Sequence, residues 1–203
     1  TIVSNTGSGS SGLFRSTNGG TSFTNISPSS TNTRISDFVI SSTGRFHVAT
    51  GYYDSSNPGY RYTDNPSTVT SSTWTESNNP ASNHLPETNA SNQNCILACS
   101  GNTLYAAVSN SSGIVNNIYK STNGGATWAT TALPVNTGDT ALSNGQGWYC
   151  LGIDINPSNA NNVVVGSLNT YATTNGGTSW TRISDWSSNY TGGTKSYVHA
   201  DIQ

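Results

Sequence analysis

Four residues of this 203-residue chain have the types and spacing for chemistry at one centre. His199 and Asp201 lie two positions apart, so on a strand they share a face. Such a pair can ligate a metal or act as base and acid. Asp37 and Asp154 sit in the alternating runs "RISDFVIS" and "WYCLGIDI", where they would face a common channel. The simpler reading of the His–Asp pair is a buried hydrogen-bonded contact that fixes the entry of a strand. Glycoside hydrolysis needs two carboxyls about 5–9.5 Å apart across a cleft. No local marker singles out such a pair, and both glutamates, Glu76 and Glu87, stand in Asn/Pro-rich loop sequence. The three cysteines, Cys95, Cys99 and Cys150, cannot all pair internally. On a strand Cys95 and Cys99 lie ~13 Å apart, too far for a disulfide. They read as small buried hydrophobes, with a Cys95–Cys150 bond left open, and they are too few for a metal site. No metal or other cofactor is expected.

Composition narrows the function classes. Charged residues make up 8% of the chain, and the net charge is −2. Five arginines and two lysines are scattered, with no basic patch to hold phosphates, so nucleic acid is not an expected partner. No apolar run approaches the ~18 residues of a membrane span. The chain has no methionine, so it reads as a mature product or a piece of something longer. Ser, Thr, Asn and Gly are abundant, but five Trp, ten Tyr and four Phe argue against disorder. This balance suits a secreted or cell-surface β protein.

The elements that would position these residues repeat. "STNGGTSF" (Ser16 to Phe23), "STNGGATW" (Ser121 to Trp128) and "TTNGGTSW" (Thr173 to Trp180) are near copies. The step from Asn123 to Asn175 is 52 residues, and that from Asn18 to Asn123 is 105, about twice as long. A fourth copy belongs near position 70, where Asp64 takes the Asn slot and Trp74 the Trp slot around a longer insert. Two alternating runs and a short third strand precede each phrase, and a fourth strand follows it. Four antiparallel strands per unit of about 50 residues predict an all-β chain of β-propeller blades. The approximate blades are 1–30 (lacking an opening strand), 31–80, 92–134 and 146–186, with a further opening strand at 195–203. Within the phrase, Asn-Gly turns the hairpin. The Asn or Asp side chain and the preceding Ser or Thr bond the turn's own backbone. Gly20, Gly125 and Gly177 allow positive φ. The aromatics Phe23, Trp128 and Trp180 are expected to point inward and pack beside the next hairpin.

The phrase S-x-[D/N]-x-G-x-[T/S]-[W/F], as it stands at Ser16–Phe23, Ser121–Trp128 and Thr173–Trp180, resembles the Asp-box, or bacterial neuraminidase repeat. Families with this box include sialidases, xyloglucanases, sortilin-type receptors and photosystem assembly factors. With "STNGGxxW" and the ending "YVHADIQ", the chain most resembles exported propellers of Bacteroidetes. The resemblance implies a propeller with the box on the outer hairpin of each blade, away from any central site. It does not carry a sialidase set: "RIS" at Arg34 and Arg182 lacks the following Pro, and Arg15 and Arg182 flank the boxes and are expected on the blade exterior.

The ends admit two arrangements. Either strand 196–203 pairs beside strand 1–7 and closes a ring of four blades, or the chain is a segment of a longer propeller. The partners then expected are other protein chains or missing blades, and glycans. Tyr52, Tyr53, Trp186 and Tyr190 stand in loops where aromatics can stack on sugars. Sequons occur at Asn25, Asn89, Asn110 and Asn189, and "DTA" around Thr140 resembles a short O-glycosylation motif. The function expected is a non-catalytic interaction or structural propeller. The alternatives are a carbohydrate-active enzyme whose catalytic set lies partly outside this chain and a sortilin-like peptide receptor.

Overall fold

Alternating Val, Ile, Tyr and Thr build strands throughout a computed structural model that describes residues 2–5, 11–28, 33–50, 59–77, 92–134, 142–187, 196–199 and 202. Among these residues there is no helix. The first sheet holds β1 (Ile2–Asn5), β2 (Gly12–Arg15) and β3 (Thr24–Asn25). The second runs β4 (Ile35–Ile40), β5 (Phe46–Thr50), β6 (Gly59–Thr63) and β7 (Thr75–Glu76). The third runs β8 (Asn92–Ser100), β9 (Thr103–Asn110), β10 (Val115–Ser121) and β11 (Ala129–Thr130). The fourth runs β12 (Gly152–Ile155), β13 (Val163–Gly166), β14 (Thr170–Thr173) and β15 (Thr181–Arg182). Every ladder is antiparallel between sequence neighbours, so each sheet is a simple meander.

The core lies between sheets, not within them. Alternation gives each strand two apolar faces, and successive sheets stack face to face. Leu13 and Ile26 of the first sheet pack with Phe46, Val48 and Val69 of the second. Ala49 and Tyr60 of the second pack with Leu104, Ala106 and Trp128 of the third. Tyr105, Ala107 and Ile118 of the third pack with Val163, Val165 and Tyr171 of the fourth. The opening strands gather together: β8 touches β4 on one side and β12 on the other.

The structure departs from the sequence expectations in two places. "WYCLGIDI" does not run as one strand. Residues 147–150 form a turn, in which the Gln146 carbonyl accepts the N–H groups of Tyr149 and Cys150 at 2.9 Å each, and β12 begins at Gly152. The expected strand 196–203 is represented among the described residues by a single parallel bridge between Ser184 and Ser196. These residues bond the fourth sheet: the Asp185 N–H donates to the Ser196 carbonyl (3.0 Å) and the Ile202 N–H to the Ser167 carbonyl (3.4 Å). No ladder to β1 forms among them.

Candidate functional site

The opening strands of the second, third and fourth sheets line a cleft of about 720 Å³. Asp37 comes to it from β4, Asn94 and Ile96 from β8, and Asp154 from β12. The turn before β12 adds Trp148 and Tyr149, 38% and 51% exposed, with ring centroids 5.5 Å apart. The structure thus brings two of the four expected residues, Asp37 and Asp154, to one surface.

Their chemistry differs. Asp37 is spoken for by backbone: Oδ1 accepts the Phe38 N–H and Oδ2 the Leu97 N–H, each at 2.8 Å. Burial pushes its carboxyl pKa up, and the two N–H donors pull it back. It joins β4 to β8 while also lining the cleft. Asp154 is exposed, and its Oδ1 accepts the adjacent Ile155 N–H at 2.8 Å. His199 is exposed, and Asp201 lies outside the described residues. Among the described residues, no three His, Cys, Asp or Glu side chains group as a metal site.

The cysteines are free thiols, Cys95 and Cys99 half-buried beside the cluster between the second and third sheets, Cys150 buried. Burial raises the Cys95 and Cys99 thiols. The half-buried pair fits the expected use as small apolar side chains.

The repeated phrases have one structure three times. Ser121 Oγ donates to Asn123 Oδ1 (2.9 Å) and accepts the N–H groups of Asn123 (3.4 Å) and Gly125 (2.9 Å). Asn123 Oδ1 accepts the Thr127 N–H (2.9 Å), while its Nδ2 donates to Thr127 Oγ1 (2.8 Å). The same five bonds tie Ser16, Asn18, Gly20 and Ser22, and again Thr173, Asn175, Gly177 and Ser179. The fifth bond gives Asn a use that Asp lacks, because a carboxylate has no N–H to donate.

The degenerate copy works differently. Asp64 forms a bidentate pair with Arg45 (2.7 and 2.9 Å), and Arg45 Nη1 also donates to the Gly124 carbonyl in the third sheet's turn (2.9 Å). The aromatic slot faces the preceding unit, which corrects the expectation that it packs beside the next hairpin. Trp74 Nε1 donates back to the Ile26 carbonyl (2.7 Å) and Trp180 Nε1 to that of Ala132 (2.8 Å), and Trp128 meets Tyr60 edge-on at 5.0 Å. Arg15 is half-buried, and its guanidinium donates to the Pro66 and Val69 carbonyls of the second unit's turn insert at 3.0 and 3.1 Å. Arg182 pairs with Asp185 at 3.2 Å.

Asn25 and Asn110 use their side-chain oxygens in local turns, accepting the N–H groups of Ser27 and Ser112 (both 2.9 Å). Asn89, Asn189, Thr140, Tyr52, Tyr53 and Tyr190 lie outside the described residues. Sequence reading missed the Trp148–Tyr149 turn, because an alternating run reads as strand whether or not it is one. It also missed His47, whose Nδ1 meets the Tyr60 hydroxyl at 2.6 Å in full burial.

No family model and no curated protein matches the chain. Solved structures do. The GH74 enzyme of Niastella koreensis matches with a TM-score of 0.60 and 22% identity, over 88% of this chain and 28% of that one. An ancestral GH74 enzyme matches at 0.56 and 21% identity, over 88% of this chain and 22% of that one. The GH74 xyloglucanase from Xanthomonas campestris matches at 0.50 and 10% identity, over 92% and 29%. This chain spans less than a third of the length of each of these enzymes. Identities this low speak to fold alone. Four meander sheets stacked face to face, three of them gathered by their opening strands, and similar to these structures, are the blades of a β-propeller.

Proposed function

We propose that the chain is a non-catalytic propeller module of an exported protein, and that it holds a glycan at the cleft beside Trp148 and Tyr149. The observation that carries this reading is the pairing of those exposed aromatic rings with the polar groups of Asn94 and Asp154 on one surface. Aromatic faces stack on sugar rings, and a few fixed polar groups set orientation. Low charge and a Ser/Thr/Asn-rich composition support an exported setting. The engagement of Asp37 by two N–H groups supports binding over acid–base chemistry, since among the described residues it leaves Asp154 as the one cleft carboxylate not held by two N–H groups, where hydrolysis needs a pair.

Titration calorimetry against a panel of neutral oligosaccharides, xyloglucan fragments included, tests the reading. Binding to at least one member is expected, weakened about tenfold or more by Trp148→Ala with Tyr149→Ala. Binding to no sugar, but to extended peptides, would replace the glycan with a peptide ligand. Hydrolysis of a panel member that disappears in Asp154→Ala would make the module an enzyme.

A further inference from the structure

The chain holds four Asn-Gly pairs, at Asn18, Asn123, Asn144 and Asn175. In such a pair the glycine nitrogen can attack the asparagine side-chain amide, because glycine has no side chain to shield it. The attack needs an amide that is free to turn toward the backbone and a glycine N–H that is free to lose its proton. The structure withholds the first from all three turn phrases. Each phrase asparagine accepts a hydroxyl and an N–H at Oδ1 and donates to a second hydroxyl from Nδ2. It withholds the second from two of them. The Gly124 N–H donates to the Asn102 carbonyl (2.8 Å) and the Gly176 N–H to that of Asn161 (3.0 Å).

Asn144 lacks both restraints. It is exposed, and among the described residues it is the one non-glycine with positive φ, at 40°. Among those residues neither its side chain nor the Gly145 N–H makes a hydrogen bond. The main chain is pinned on either side of it. Ser143 Oγ accepts the Val115 N–H at 2.9 Å. The Gly147 N–H donates to the Gly113 carbonyl at 2.7 Å, and the Gly147 carbonyl accepts Asn94 Nδ2 at 3.1 Å. Trp148 and Tyr149 follow directly.

We propose that Asn144 is a site of spontaneous covalent modification, converting with solvent water to aspartate and isoaspartate. The Gly145 nitrogen loses its proton to solvent base and bonds to Asn144 Cγ. The Cγ–Nδ2 bond breaks, and the nitrogen leaves as ammonia with a proton from water. A cyclic imide remains. Water then opens the ring. Opening at Cγ gives aspartate, and opening at the main-chain carbonyl gives isoaspartate. Both products place a carboxylate in this turn. Isoaspartate also routes the main chain through the Asn144 Cβ, which lengthens the span between the anchors at Ser143 and Gly147. The lengthened turn cannot keep both anchors, and Trp148 and Tyr149 hang from the second. Conversion thus loosens the aromatic side of the cleft. Its effect on a bound sugar, unlike the conversion itself, rests on the glycan reading above.

Incubation of the intact chain in mildly alkaline buffer, followed by peptide mapping, tests the proposal. Each conversion exchanges NH2 for OH in the peptide mass. Asn144 is expected to convert about tenfold or more faster than Asn18, Asn123 and Asn175 in the folded chain, whereas in urea the four rates fall within about threefold of one another. Asn144→Gly, which suits the positive φ, abolishes the fast release of ammonia and leaves the circular dichroism unchanged. In the isoaspartate form, separated by charge, amide exchange at Gly147 quickens about tenfold or more. A phrase asparagine that converts as fast as Asn144 overturns the proposal, as does an Asn144 that stays intact while the chain in urea converts. Unchanged exchange at Gly147 overturns the link to the aromatic turn. Failure of the fresh chain to bind any sugar would sink the glycan reading and leave the conversion standing, so the two fail separately.

Discussion

His47 shows how one residue responds to its surroundings. Its imidazole pKa is lowered from 6.5 to about 4, mostly by burial and in part by the nearby Arg45 guanidinium, while Asp64 opposes. Its Nε2 has no partner among the described residues, so a proton there would be buried without a hydrogen bond. The unfolded chain takes up this proton near pH 6.5 and the folded chain only near 4. Stability from this residue is thus complete above 6.5, falls with pH below that value and levels off below about 4. Between pH 7 and pH 5 the loss is about 2 kcal/mol. Urea denaturation at the two values measures it, and His47→Phe should flatten the difference whatever its effect on absolute stability. An equal slope in the variant would assign the loss to other groups.

The turn phrase is the element on which the chain is built, and its meaning depends on what stands beside it. Gly20 and Gly125 hold the same slot with φ of 94° and 82°. A Cβ on Gly20 meets nothing closer than Phe23 at 4.0 Å, while one on Gly125 would overlap the Tyr60 hydroxyl. Gly20→Ala should cost only the left-handed conformation, about 1–2 kcal/mol, and Gly125→Ala should cost about 2 kcal/mol or more beyond that. Thermal denaturation of the two variants compares them. Equal losses would show that the turn, not its contact with the second sheet, sets the cost. The turn's own hydrogen bonds were readable in sequence because all five join residues within four positions of one another. The direction of the aromatic was not, since the identity of the neighbouring sheet is a matter of stacking. The insert after Asp64 likewise gave no sign that its carboxylate would leave the turn for Arg45, 19 residues away.

At the scale of the whole molecule, the three hydrophobic clusters all straddle joints, so no sheet has a core of its own. Asp37 is one of the polar links across such a joint. Asp37→Ala leaves the Leu97 N–H without its acceptor and should lower stability by about 1–3 kcal/mol. Asp154→Ala, at an exposed site, should change it by less than about 0.5 kcal/mol. Chemical denaturation distinguishes the two, and equal effects would contradict the structural role of Asp37. This role was hidden in the sequence because its partner lies 60 residues away. The cleft was hidden in part: Asp37 and Asp154 were expected at it, while Trp148 and Tyr149 read as strand. The sequence by itself determined the repeating unit, its strands and its turn, since period-2 alternation, Asn-Gly and hydroxyl-to-amide bonds are all local. Only the tertiary structure decided which faces are covered between sheets and which carboxylate is taken up by a neighbouring strand, because each follows from how successive sheets stack.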